Sequence, residues 1–268
     1  MIVTGNGWEM RRGDCLEVMR GLDRVDHVIT DPPYSKHVHG KSRAGSRKTP
    51  LTDGNGRMTR CAIDREVDFG FAHLDAFTRR QSAAQFARLA RRWVLAFCDV
   101  ESSHLWARSL TVAGLDYCRT GAWVKIGATP QFTGDRPGVG FETIVIAHPK
   151  GRKRWNGGGS HGVWTHLTAI DRGSPSGTAE RSHPTQKPRA LMMELVELFT
   201  DRDDVILDPF AGSGTAGVAA LLLGRKFIGI EKDPKHFETC VERLRAEESG
   251  TTVRAERAGQ GALFKVGA

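Results

Sequence analysis

Four short apolar runs each end on an acidic residue, and no other feature limits the fold of this chain as strongly. Val25–Thr30 (VDHVIT) runs into Asp31, Val94–Cys98 (VLAFC) into Asp99, Val205–Leu207 (VIL) into Asp208, and Phe227–Ile230 (FIGI) into Glu231. Runs this short, apolar on both faces and rich in β-branched residues, read as strands buried in a parallel sheet. Polar groups at their carboxyl ends are where such sheets hold ligands. Helical patterns separate them at Phe77–Arg92, Arg189–Phe199, Gly214–Leu223 and His236–Glu248. The alternation predicts one α/β domain. Ala122–Lys125 and Phe141–His148 read as later strands forming a hairpin at the sheet edge.

Composition narrows the class. A chain of 268 residues with 39% hydrophobic and 26% charged residues can bury a core and is not globally disordered. The five cysteines, Cys15, Cys61, Cys98, Cys118 and Cys240, form no CxxC pair, which argues against a zinc module or a disulfide-stapled secreted domain. His148, His161, His166 and His183 match no zinc spacing, so no metal is expected. Met1–Met10 lacks a signal-peptide pattern, and the apolar stretch Val218–Leu223 is too short to span a bilayer. The expectation is a soluble cytoplasmic protein without membrane contact.

The net charge of +8 is concentrated in two non-periodic stretches. Residues 35–63 carry seven Lys/Arg against Asp53 alone, and residues 149–188 carry seven against Asp171 and Glu180. Basic, Gly-rich loops with interleaved Trp155, Trp164, His161 and His166 suit a phosphate backbone and exposed bases. The first stretch follows a candidate site directly, and it is expected to order as a flap only when a nucleic acid binds.

That site is Asp31-Pro32-Pro33-Tyr34. Two prolines stiffen the backbone and remove two donors, so the Pro32 carbonyl is left as an outward acceptor. The Asp31 carboxylate is a second acceptor and Tyr34 a flat face. Two convergent acceptors can hold an amino group by its two N–H bonds, while the ring stacks on the base that bears it. Such bonds push the nitrogen toward a tetrahedral, nucleophilic form, and alignment in a dry pocket does the rest. Asp31 need not be a strong base, and no cysteine nucleophile adjoins the motif.

The glycine-rich corner is a second site. Gly212, Gly214 and Gly217 follow the strand before Asp208 in a G-x-G-x-x-G spacing and open a helix near Ser213–Thr215. This arrangement aims free N–H groups at a ligand. Glu231, ending the next strand, can accept from both ribose hydroxyls. Asp208 and Pro209 precede the turn, and a carboxylate there suits a cationic amino group better than a pyrophosphate. S-adenosylmethionine is thus favoured over a dinucleotide. Only 37 residues follow Glu231, so the remaining strands come from the N-terminal part and the motif order is circularly permuted. A dinucleotide oxidoreductase would share the glycines but leave Asp31–Tyr34 and the basic loops without a role.

With both motifs in hand, the sequence resembles the DNA amino-methyltransferases of the β arrangement, in which the DPPY segment precedes the target-recognition region and the FxGxG segment follows it. The resemblance runs over about residues 8–245. Gly13-Asp14-Cys15-Leu16 resembles the segment whose acid contacts the cofactor adenine, which implies Asp14. Asp31, Pro32, Pro33 and Tyr34 form the catalytic segment. His183-Pro184-Thr185-Gln186-Lys187-Pro188 matches the segment lining the methionine end, which implies Thr185 and Lys187. Asp208, Phe210, Gly212, Ser213, Gly214 and Thr215 form the cofactor turn, with Glu231 as the ribose acid. Lys187 could pair with the methionine carboxylate, with charges near Asp31, or with solvent. Asp99 reads as a helix cap or a pocket wall.

The resemblance implies a Rossmann-like fold with a mostly parallel seven-stranded sheet and an antiparallel edge hairpin. Its parts would be a catalytic half at 1–148 with the loop insertion 35–63, a target-recognition region at 149–182, a cofactor half at 183–248 and a tail at 249–268. It implies site-specific methylation of adenine N6 in double-stranded DNA after base flipping. Relatives acting on cytosine N4 more often begin the tetrapeptide with Ser. N4-cytosine transfer and a non-catalytic DNA-binding protein are the alternatives. A homodimer and a cognate restriction endonuclease complete what the resemblance implies.

Overall fold

The computed structural model describes residues 1–34, 51–52, 58–59, 74–128, 136–168 and 186–251, with only the backbone of the two short central pieces. Its strands are β1 (Ile2–Gly5), β2 (Trp8–Arg12), β3 (His27–Thr30), β4 (Leu51–Thr52), β5 (Met58–Thr59), β6 (Val94–Cys98), β7 (Asp116–Ile126), β8 (Phe141–His148), β9 (Val163–Leu167), β10 (Val205–Asp208) and β11 (Lys226–Glu231). Its helices are α1 (Cys15–Arg20), α2 (Ala76–Leu89), α3 (Ser103–Val112), α4 (Arg189–Phe199), α5 (Thr215–Leu222) and α6 (Pro234–Glu248). The main sheet has nine strands in the order β1-β2-β11-β10-β3-β6-β8-β7-β9, and β4 pairs with β5 separately. The neighbours β2, β11, β10, β3 and β6 run parallel; β1 and β8 are antiparallel to their neighbours.

The period of two along each central strand sorts its side chains onto two faces. Ile29, Leu95, Phe97, Ile144 and Ile146 join α4, α5 and α6 on one face. Val28, Val94, Ala96, Cys98, Val145 and Ala147 join α1, α2 and α3 on the other. Among the described residues three helices therefore cover each face, which is why the central strands are largely apolar. Helix starts are set locally: Asp14 accepts from the Leu16 and Glu17 amides, Asp75 from Thr78, and Asp233 from Lys235 and His236.

The predicted helices appear with ends shifted by up to three residues, and Arg189–Phe199 matches fully. The strand expected from Val25 begins at His27, and Val25 makes only an isolated bridge to Ala90. The seven-stranded expectation is corrected to nine. The N-terminal hairpin β1–β2 extends one edge, and its polar alternation hid it. The β7–β8 hairpin is not the other edge, because β9 adds in parallel outside it. β9 lies inside the segment expected to hold target recognition, so part of that segment belongs to the sheet. Residues 169–185, most of 35–73 and the tail from 252 lie outside the described residues, and the flap expectation with them. No described helix is long and apolar enough to cross a membrane.

β9 is anchored by Trp164, buried against the backbone of Gly121 on β7. A Cβ at Gly121 would meet the Trp164 ring at 2.5 Å. Trp164→Ala is expected to cost about 3 kcal/mol. Urea unfolding would measure the loss, and hydrogen exchange should show it first in the amides of β9.

Candidate active site and cofactor corner

The sheet places the two predicted sites side by side. β3 leads through α2 to β6, while β10 leads through α5 to β11, and the two helices lie on opposite faces. The chain thus diverges between β3 and β10, and a crevice opens at their carboxyl ends. Thr30 and Asp208 meet there, with Thr30 Oγ1 donating to Asp208 Oδ1 at 2.7 Å. Asp31 is the next residue along β3 and Phe210 lies just past β10.

Among the described residues Asp31 is bound through one oxygen only. Its Oδ2 accepts from Lys187 Nζ at 2.6 Å, while Oδ1 is buried without a hydrogen-bond partner among the described residues. Lys187 Nζ also lies 3.2 Å from Glu142 Oε2, and Glu142 Oε1 lies 2.6 Å from Lys125 Nζ. The Tyr34 hydroxyl donates to Glu142 Oε2, and its ring centroid is 5.0 Å from Lys187 Nζ. Burial alone would raise the Glu142 carboxyl, but the ammonium groups of Lys187 and Lys125 hold it down to about 2. Burial pushes Asp31 upward against the pull of Lys187, and burial holds Tyr34 well above its ordinary value as a neutral phenol. Cys98 ends β6 nearby, but burial pushes its thiol up to about 12, so it offers no thiolate at neutral pH.

Lys187 therefore faces the acceptor segment: among the three partners left open for it, the side chain takes the charges near Asp31. Glu142 and Lys125 were not anticipated. Glu142 shares the inward face of β8 with Ile144 and Ile146, so an acid at period two among core residues was the available signal. Asp99 fills both predicted roles. Its Oδ1 accepts from the Ser102 amide at 2.8 Å, starting a 3-10 turn, and it lines a small cleft with Pro33, Tyr34, Arg79 and Trp106.

The glycine corner is built as its spacing predicts. Gly212 and Gly214 both adopt positive φ, +51° and +79°, which only glycine takes without strain. A Cβ on Gly214 would also strike Cys240 Sγ at 2.3 Å. Glu231 Oε2 accepts from the Gly212 amide at 2.9 Å and Oε1 from the Asp233 amide at 2.8 Å. The carboxylate is locked across the turn with lone pairs to spare. The Gly13 amide bonds the Glu231 carbonyl at 3.1 Å, which brings Asp14 beside the same corner. Arg243 on α6, which the sequence places only within a helix, donates to the Ser213 carbonyl and lies 3.2 Å from Ser213 Oγ and 3.4 Å from Thr215 Oγ1. Thr185 and His183 lie outside the described residues. His148 packs edge-on against Trp93 and His166 bonds Glu194 at 2.6 Å.

The two motifs thus share one crevice at the carboxyl ends of β3 and β10. The N6/N4 methyltransferase family model, described as DNA methylase, matches residues 25–242. The chain belongs to this family of DNA methylases. It is 25% identical over 259 residues to the type II methyltransferase M.HinfI of Haemophilus influenzae, covering 87% of this chain and 67% of that protein. Over 242 residues it is 28% identical to the type II methyltransferase M2.LlaDCHI of Lactococcus lactis subsp. cremoris, covering 83% and 82%. Among solved structures, the M1.HpyAVI–SAM complex superposes with a TM-score of 0.64 at 27% identity, covering 88% of this chain and 98% of that one. The cytosine-N4-specific PvuII DNA methyltransferase superposes at 0.66 with 15% identity, covering 95% and 92%, and shows the shared fold alone.

Burial makes Asp208 of this methylase an unusual acid, raised from 3.8 to about 7 although Thr30 and the Phe210 amide donate to it. The folded chain then holds a proton that the unfolded chain releases, so stability is lost as pH rises through that window. Asp208→Asn keeps an acceptor oxygen and removes the ionisation. Its stability advantage over the parent should widen by about 2–3 kcal/mol between pH 5 and pH 8, read from urea unfolding at the two values. A gap that does not change with pH would contradict the assignment.

Proposed function

We propose that this DNA methylase transfers a methyl group from S-adenosylmethionine to N6 of adenine at a specific site in double-stranded DNA, with the base flipped out of the helix. The observation that carries the reading is the buried Asp31 Oδ1, which has no hydrogen-bond partner among the described residues. A buried acceptor left open is costly unless a ligand donor completes it, and an exocyclic amino group is such a donor. An aspartate rather than a serine in first position supports adenine over cytosine.

The residues of the corner fit the cofactor. Gly212 has open space where a Cβ would stand, with only the Phe210 carbonyl oxygen at 4.0 Å, and Glu231 presents a fixed carboxylate for ribose hydroxyls. Asp14 would receive the adenine amino group, and Asp208, Phe210, Ser213, Gly214 and Thr215 would form the wall. Thr185 belongs to the same reading. When bound, S-adenosylmethionine supplies a sulfonium-activated methyl whose carbon–sulfur bonding pair stays with sulfur on transfer.

The chain's own groups do the rest. Asp31 Oδ1 and the Pro32 carbonyl accept the two amino hydrogens and take the nitrogen lone pair out of conjugation with the ring. Tyr34 stacks on the base and excludes water. The nitrogen that gains the methyl gives up one proton, and Asp31 Oδ1 is the acceptor that carries it toward solvent. The basic stretches 35–63 and 149–182 would grip the duplex around the extruded base. A homodimer and a cognate restriction endonuclease belong to the same reading, the latter supported by the type II relatives.

Labelled methyl transfer to unmethylated DNA, followed by nucleoside analysis, tests this. N6-methyladenine at one short sequence is expected, and Asp31→Ala should lower transfer at least 100-fold. N4-methylcytosine would overturn the choice of base, and cofactor binding without any transfer would favour a DNA-binding protein. Glu231→Gln is expected to raise the KM for the cofactor about tenfold, with less effect on kcat.

A further inference from the structure

The charge cluster behind the acceptor needs an explanation of its own. Two acids and two lysines are drawn in from four places in the chain: Asp31 after β3, Lys125 on β7, Glu142 on β8 and Lys187 just before α4. Lys187 is only 7% exposed in its side chain and Glu142 12%. Burying such groups costs more than their attraction returns in most proteins, and an apolar set of the same volume would stabilise as well. Their geometry is instead directional. Lys187 occupies Oδ2 of Asp31 and leaves Oδ1 open, and Glu142 holds both Lys187 and the Tyr34 hydroxyl.

We propose that Lys187 and Glu142 are positioning residues for methyl transfer: the ammonium fixes Asp31 through Oδ2 so that Oδ1 meets the target amine, and Glu142 anchors that ammonium and the Tyr34 ring together. This rests on the reading of Asp31 as the amine acceptor, and it moves Lys187 from the cofactor to the acceptor. The Lys187 ammonium also lies 5.4 Å from the centroid of the Phe97 ring, so apolar and aromatic surface closes it in. Other ionisable groups facing Asp31 are Tyr34 in its own segment, Glu142 on β8, Cys98 at the end of β6 and Asp208 at the end of β10. Of these neighbours, only Lys187 brings a positive charge into contact with the carboxylate. Removing it leaves Asp31 among acids, whereas removing Glu142 leaves Asp31 alone with the cation. The two changes should therefore move the proton affinity of Asp31 in opposite directions.

The test is the pH dependence of the single-turnover transfer rate for the full chain and for Lys187→Met, Glu142→Gln and the double variant. Lys187→Met should slow transfer about 100-fold at neutral pH and move the acid limb upward by at least a unit, while cofactor affinity stays within about threefold. Glu142→Gln should slow transfer about tenfold and move the acid limb downward. The double variant restores charge balance and should bring the limb back toward that of the parent. Lys187→Arg, which keeps the charge, should leave the limb near its original place. Limbs that stay put or shift the same way would overturn the proposal, as would a loss of cofactor affinity as large as the loss of rate. Carbon-13 NMR titration of the Asp31 carboxyl in the free protein gives the same opposed shifts without any turnover. It thus separates failure of this inference from failure of the adenine reading, which the methylated nucleoside alone reports.

Discussion

Everything in the crevice depends on β3 and β10 lying side by side and parallel, joined at their carboxyl ends by the Thr30–Asp208 hydrogen bond. These strands are almost 180 residues apart in sequence, as the separation across that bond shows. One carries the acceptor segment and the other the glycine turn. A nucleophile and a methyl donor must approach to within bonding range, and a rigid parallel pair with helices diverging to opposite faces is a way to hold two loops at that spacing. The bond is buried, so its Asp208 partner is pushed toward neutrality, and the stability of the junction carries a pH dependence of its own.

Around this junction the molecule spends stability on polar groups. The apolar strands β3, β6 and β8 are covered on both faces, and their core would be simpler without an ion cluster at one end. Lys187, Glu142 and Lys125 are nevertheless drawn under Asp31, and one oxygen of that carboxylate has no hydrogen-bond partner among the described residues. The same logic appears at the cofactor corner, where Arg243 grips the carbonyl of Ser213 and Glu231 is tied to two backbone amides. In both places the side chains that would touch a ligand are themselves held by others, which keeps the site rigid before anything binds.

Much of this was legible without coordinates. The strands ending at Asp31, Asp99, Asp208 and Glu231 and the helix Arg189–Phe199 follow from apolar periodicity. The positive φ of Gly212 and Gly214 follows from glycine spacing. The hairpin β1–β2 was missed because a half-exposed edge strand mixes polar and apolar residues too evenly, and β9 because a five-residue strand inside a basic, Gly-rich stretch carries little periodicity. Glu142 was read only as part of a strand, and Arg243 only as part of a helix, since neither lies in a local motif.

Local sequence, then, determined the types of element and the order of the motifs, because these depend on residues near one another in the chain. What the tertiary structure alone decided is which distant residues meet. Lys187 turns to Asp31, Glu142 ties that lysine to Tyr34, and Thr30 reaches Asp208 because sheet order and burial bring them together. A charged side chain on a strand or loop has no preferred partner until the rest of the sheet excludes water from around it.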